Sequence, residues 1–155
     1  ELFKSRSTYI VPAIKNIMNV YVESGKVRIV FYNNPIESLH PLVRTSHLAA
    51  LCANEQGKFE VYGRNLWDKR AQWSEESDRV AIMKVYAKDL GLDTAKFDEC
   101  LDTKKYNAQI EEELALSMEY GVSGTPAFFV GKTFISGAED YSTFKALIDA
   151  ELAQK

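Results

Sequence analysis

Few residues in this chain carry reactive side chains, and their spacing limits what they can do. Two cysteines, Cys52 and Cys100, stand far apart, so neither belongs to a CxxC pair that cycles between dithiol and disulfide or fills half a zinc site. Their types alone are compatible with two buried thiols, a structural disulfide or metal ligands. His40 and His47 are the only histidines. With the cysteines they have the donor types of a zinc site but no ligand spacing that supports one; no metal is expected, and His40 beside Pro41 reads as a loop residue. The remaining signal is conformational. Gly124-Thr125-Pro126 contains an X-Pro bond, whose cis form costs only about 0.5–1 kcal/mol over trans, so a surrounding loop can lock it. The plain alternative is a trans turn between a helix and a strand.

These residues must be positioned by a globular scaffold. The chain has 155 residues, 46% apolar and 26% charged, which suits one domain burying about 70% of its unfolded surface. The net charge of −3 and pI near 5.5, with Lys and Arg interspersed among Asp and Glu, speak against nucleic-acid binding, which needs clustered cations. No apolar run approaches the roughly 18 residues that span a bilayer. The opening Glu1-Leu2-Phe3-Lys4 has neither Met nor the basic start and apolar stretch of a signal peptide, so a chain shortened at its N-terminus is expected.

Ser7 to Ser24 reads as a helix with Ile10, Ile14, Ile17, Met18, Tyr21 and Val22 on one face, interrupted or started by Pro12 and ended by Gly25. Val27 to Tyr32 is β-branched and aromatic and predicts a well-buried strand. From Leu42 to Tyr120 the pattern is helical. One helix passes through Leu48–Cys52, and a second runs from Lys58 to about Arg70 with Phe59, Tyr62, Leu66 and Trp67 inward. A third is capped by Ser77 and stopped by Gly91, and a short fourth is capped by Asp93. A fifth, Lys105 to Tyr120, places Ile110, Leu114, Leu116 and Met118 inward and leaves Glu111-Glu112-Glu113 as a solvated face. Ala127–Val130, Gly131-Lys132 and Thr133–Ser136 spell a hairpin, with Gly suiting a type II′ turn. A final helix, Tyr141 to Leu152, turns Phe144, Leu147, Ile148 and Leu152 to one side.

At Val122-Ser123-Gly124-Thr125-Pro126-Ala127-Phe128-Phe129-Val130 the chain resembles the segment around the cis-proline of DsbA-like thiol–disulfide oxidoreductases. Cys52–Phe59, Phe97–Leu101, and Ile135-Ser136-Gly137-Ala138 running on to Tyr141 and Phe144-Lys145 resemble the same family, in consistent order over residues 26–155. Pro12 matches a proline usual in its first helix. The resemblance implies an α/β class: a thioredoxin-like fold with an inserted all-helical subdomain. Residues 1–40 and 121–155 would form the thioredoxin-like core, its first strand missing, and 41–120 the helical insertion.

The family places a CxxC at the N-terminus of the first helix, where exposed N–H groups and the helix dipole stabilise a thiolate. The thiolate attacks a substrate disulfide and the second cysteine resolves the mixed disulfide. Here that pair is expected upstream of residue 1, together with the strand that lies inside the sheet. Omitting that strand would leave buried N–H and C=O groups unpaired at on the order of 1–3 kcal/mol each. By resemblance, Thr125 and Pro126 shape the substrate site, the Thr125 backbone pairing with an extended peptide. The family often carries a cysteine pair near Cys52 and Cys100, which implies a structural disulfide; closing a loop of about 49 residues stabilises by roughly 4 kcal/mol in the chain-entropy model. Such a bridge suits an oxidising compartment, periplasmic or extracellular.

The implied activity is thiol–disulfide exchange on cysteine-containing polypeptides, with a redox partner protein and no cofactor. The alternatives are a redox-inactive peptide-binding or chaperone module, or a glutathione-dependent transferase or isomerase. Some such relatives bind a thiol cofactor through a serine at the first helix start, where Ser5 and Ser7 lie, although serines there are more often caps.

Overall fold

A computed structural model describes residues 12–154. Ser5, Ser7, Ile10 and the expected start of the first helix lie outside the described residues. The described chain divides into two compact units, a hairpin unit of residues 12–32 and 117–154 and a helical unit of Asn33–Leu116.

In the hairpin unit, helix α1 covers residues 12–22, its second half, Met18–Val22, widening into a π-helical turn. Residues 27–36 carry no regular secondary structure. Strands β1 (Ala127–Val130) and β2 (Thr133–Ser136) pair antiparallel, Phe128 opposite Ile135 and Phe129 opposite Phe134. Gly131 takes a positive φ of 57° while Lys132 does not, the combination a type II′ turn requires. Asp140 accepts from the Thr143 N–H and caps α8 (Tyr141–Leu152). Ala13, Ile17 and Tyr21 of α1 pack with Ile135 of β2 and with Phe144 and Ile148 of α8. Phe128 meets Phe144 edge to face at 4.9 Å. The Tyr21 hydroxyl donates to Asp149 at 2.6 Å; that bond, with burial second, raises the phenol's pKa.

Val27–Tyr32 corrects the sequence reading. The segment carries no regular secondary structure, and among the described residues the sheet consists of β1 and β2 alone. Nor is it well buried: Val27 and Ile29 half-bury against the core, while Val30, Phe31 and Tyr32 are exposed. β-branched residues favour an extended backbone, but a strand also needs a neighbour to carry its ladder, which propensity does not supply.

The helical unit holds α2 (Val43–Asn54), α3 (Phe59–Asp68), α4 (Arg70–Trp73), α5 (Arg79–Asp89), α6 (Thr94–Asp102) and most of α7 (Asn107–Glu119). Asp93 caps α6 as expected, through the Lys96 N–H. Asp78, not Ser77, caps α5, because the helix begins at Arg79 and the cap is the residue just before it. The core gathers Leu48, Tyr62, Met83, Phe97, Leu101 and Ile110, with Tyr62 and Phe97 ring centroids 5.5 Å apart. The Tyr62 hydroxyl donates to the Met83 carbonyl at 2.8 Å, so this buried polar atom is satisfied.

Three inward expectations fail here. Trp67, Leu116 and Met118 are exposed, Met118 by 75%. Ile110 and the half-buried Leu114, one turn apart, mark the inner stripe of α7; Leu116 falls off it, while Met118, a further turn on at the helix's C-terminal end, is exposed all the same. The supposed solvated face also fails at Glu113, which is half-buried and accepts two hydrogen bonds from Asn33.

Candidate functional site

The loop ahead of β1 is set by how α7 stops. Gly121 has φ 70°, and its N–H and that of Val122 bond back to the Met118 and Ser117 carbonyls, closing the helix end. The chain then turns through Ser123 and Gly124 to Thr125 and Pro126, whose connecting peptide bond is cis. Pro126 has no N–H for a ladder and sits just before the strand, where none is needed. Its carbonyl accepts from the Gly137 N–H at 2.9 Å, closing the open end of the hairpin. Thr125 is exposed and Pro126 half-buried. Beyond them, on the hairpin face opposite Phe128 and Ile135, Phe129 lies 5.0 Å from Phe134 and meets Tyr120 edge-on at 5.8 Å. These three rings are all exposed.

Cys52 of α2 and Cys100 of α6 form a disulfide with Cα atoms 5.8 Å apart. Cys52 is 1% exposed and Cys100 4%. Cys100 lines a cavity of about 210 Å³ with Glu55, Lys96, Glu99, Thr103 and Lys105. Glu55 Oε1 lies 3.9 Å from Cys100 Sγ and is held by Lys105 Nζ at 2.5 Å and the Tyr106 hydroxyl at 2.5 Å. The Lys105 contact, and then Tyr106, keep the Glu55 carboxyl below the usual range.

A third cluster escaped the sequence reading. The Asn33 backbone and side-chain N–H groups donate to Glu113 Oε2 at 2.5 and 2.8 Å, and Gln109 donates to Glu113 Oε1 at 2.7 Å. Because the Asn33 amide nitrogen faces Glu113, its oxygen is left to accept from His47 Nδ1 at 2.8 Å, which assigns the neutral Nδ1–H tautomer. Burial pushes the His47 pKa down to about 4; the Glu113 charge opposes this and Arg44 adds to it. Arg44 itself bridges Glu37 at 2.8 Å and Glu111 at 2.5 Å. No local motif marks these groups, since Asn33 and Glu113 are 80 positions apart.

The structure thus joins Cys52 to Cys100 and places Thr125 and Pro126 together at the hairpin entry. It does not bring the histidines to the cysteines: His47 faces Asn33, and His40 is an exposed residue of the turn before α2. Among the described residues, no three His, Cys, Asp or Glu side chains converge as metal ligands, and no helix is long and apolar enough to cross a membrane.

Comparison with known proteins places this architecture. A thioredoxin family model matches residues 9–150. The crystal structure of oxidised BdbD from Bacillus subtilis superimposes with a TM-score of 0.77 at 22% identity, covering 90% of this chain and 76% of that one. The probable disulfide bond formation protein D of Bacillus anthracis is 20% identical over 147 residues, 94% of this chain and 67% of that protein. The Na(+)/H(+) antiporter NhaA 3 of Salinispora tropica is 31% identical over 121 residues, 77% of this chain, yet the chain spans only 17% of the antiporter's length. The cis Thr125–Pro126 loop, the hairpin running into a capped helix, the helical unit between α1 and that loop, and these likenesses lead to one conclusion: the chain belongs to the thioredoxin family.

Proposed function

We propose that this chain belongs to a protein disulfide oxidoreductase that exchanges disulfides with cysteine-containing polypeptides. The single observation that carries the reading is the hairpin unit. An exposed Thr125 stands at the mouth of β1, in the family's substrate-loop position, on a scaffold matched from residue 9 to residue 150. In this reading residues 1–40 and 121–155 form the redox core and 41–120 the insertion. The CxxC is contributed by residues on the N-terminal side of Glu1, and the substrate lies extended along Thr125 and Pro126. The Cys52–Cys100 bridge is structural, bracing α2 against α6. The working compartment is periplasmic or extracellular, and a separate redox protein resets the catalytic pair.

The test is an insulin-reduction assay on the protein extended through its native upstream residues. Turnover abolished by replacing an upstream cysteine with serine supports the reading. Turnover that survives the loss of every upstream cysteine, or an upstream sequence with no CxxC, overturns it in favour of a redox-inactive peptide-binding module.

The antiporter relative favours a second reading, in which this domain is one segment of a longer membrane-bound exchanger. The mass of the native polypeptide and its fractionation with membranes separate the two.

A further inference from the structure

We infer that the Cys52–Cys100 bridge is a second thiol-exchange site with a fixed polarity: small-molecule thiols enter at Cys100 only, under the control of Glu55. The two sulfurs differ in what surrounds them. Cys52 lies in a run of buried residues, Leu48 to Ala53, on the inner side of α2. Cys100 faces the cavity of about 210 Å³, and that space is large enough for several atoms of a ligand. A nucleophile arriving through it reaches Cys100, whereas Cys52 is not among the residues lining that cavity.

The chemistry follows from that asymmetry. An incoming thiolate RS⁻ forms a new bond to Cys100 Sγ as the Cys100–Cys52 bond breaks, and the electron pair leaves on Cys52 Sγ, which takes a proton from solvent. The product is a mixed disulfide on Cys100 and a thiol at Cys52. A thiolate leaving into apolar surroundings is costly, so Cys52 tends to attack back and expel RS⁻, and the bridge reseals. A second equivalent of thiol is needed to release RSSR and leave the dithiol.

Glu55 sets the rate. Its carboxylate stands 3.9 Å from Cys100 Sγ and is fixed there by Lys105 and Tyr106, so negative charge faces any thiolate at the moment of attack. Lys105 and Lys96, the latter 74% exposed, contribute the opposite sign, and Glu99 adds a second carboxylate to the lining. The site therefore favours a thiol carrying a compensating cation over one carrying a second anion. This proposal is independent of the upstream CxxC and stands or falls separately from the catalytic reading.

The test uses the full chain in native buffer with three thiols: cysteamine, 2-mercaptoethanol and mercaptoethanesulfonate. Reactions are quenched in acid, and the Cys52 and Cys100 peptides are resolved by mass spectrometry. Expected are adducts on Cys100, with rate constants per thiolate falling in that order of thiols. Glu55→Gln should speed 2-mercaptoethanol by about 3- to 10-fold and narrow the spread between the charged thiols, since one charge near the sulfur is removed. Where E55Q also lowers thermal stability, Lys96→Glu on the cavity rim gives the opposite sign, slowing mercaptoethanesulfonate most. Adducts on Cys52 overturn the proposal. So does a rate that plateaus with thiol concentration at the global unfolding rate, and so does a charge order unmoved by either variant.

Discussion

The helical unit and the hairpin unit spend their apolar residues differently. The helical unit buries sixteen residues in one continuous cluster and locks two of its helices with a disulfide. The hairpin unit buries six among the described residues, while both units leave large apolar side chains exposed, Tyr32, Met118 and Phe129 in the one and Leu39, Leu42 and Val61 in the other. Helices of ten or so residues satisfy their own backbones, so a bundle can complete its core from nearby sequence. A sheet cannot; each strand depends on neighbours contributed by distant segments. The part of the chain that carries the candidate substrate loop is thus the part with less of its own stabilisation.

That contrast is broken most strongly at Phe97. Phe97→Ala removes a fully buried ring from the helical core and should cost about 3–5 kcal/mol, whereas Phe129→Ala on the exposed hairpin face should cost under about 1 kcal/mol. Urea midpoints of the two variants measure the difference, and equal losses would show that the hairpin face is as well packed as the bundle.

Acid should strike the helical unit next. The His47 pKa in the folded protein, about 4, lies below its ordinary 6.5. The unfolded chain therefore binds the proton first. Stability from this group is complete above pH 6.5 and falls as pH drops toward 4, by up to about 3 kcal/mol. Chemical denaturation between pH 7 and pH 4 reads this loss, and His47→Gln should flatten the slope across that window. A slope unchanged by the variant would assign the acid sensitivity to the carboxylates instead.

A smaller loss than those at Phe97 and His47 belongs to the hairpin turn. Gly131→Ala places a side chain where φ is 57° and where a Cβ would run into the Glu151 carboxylate. The flexible Glu151 tip can move aside, but the backbone conformation cannot, so a loss of about 1–2 kcal/mol is expected. Thermal melts followed by near-UV circular dichroism, with Phe128 and Phe144 as reporters, should show it.

Much of the molecule was legible from local chemistry. Asp93 capping α6, Gly121 stopping α7, Gly131-Lys132 turning the hairpin and Phe144 with Ile148 facing inward each depend on a few adjacent residues. The candidate loop at Thr125–Pro126 and the Cys52–Cys100 pair were found through resemblance, because no spacing rule joins residues so far apart. Trp67, Leu116 and Met118 were misread, since apolar type was taken for burial when about half of any protein surface is apolar.

The sequence by itself determined the order and type of nearly every described element, because caps, glycine stops and apolar periodicity act within a turn or two. Only the tertiary structure decided that Glu113 holds Asn33, that Asn33 in turn sets the His47 tautomer, and that Cys100 rather than Cys52 faces a cavity. It also decided that Val27–Tyr32 stays outside the sheet of β1 and β2 among the described residues. Each of these depends on which distant segment arrives alongside, and a side chain's type carries no record of its partner.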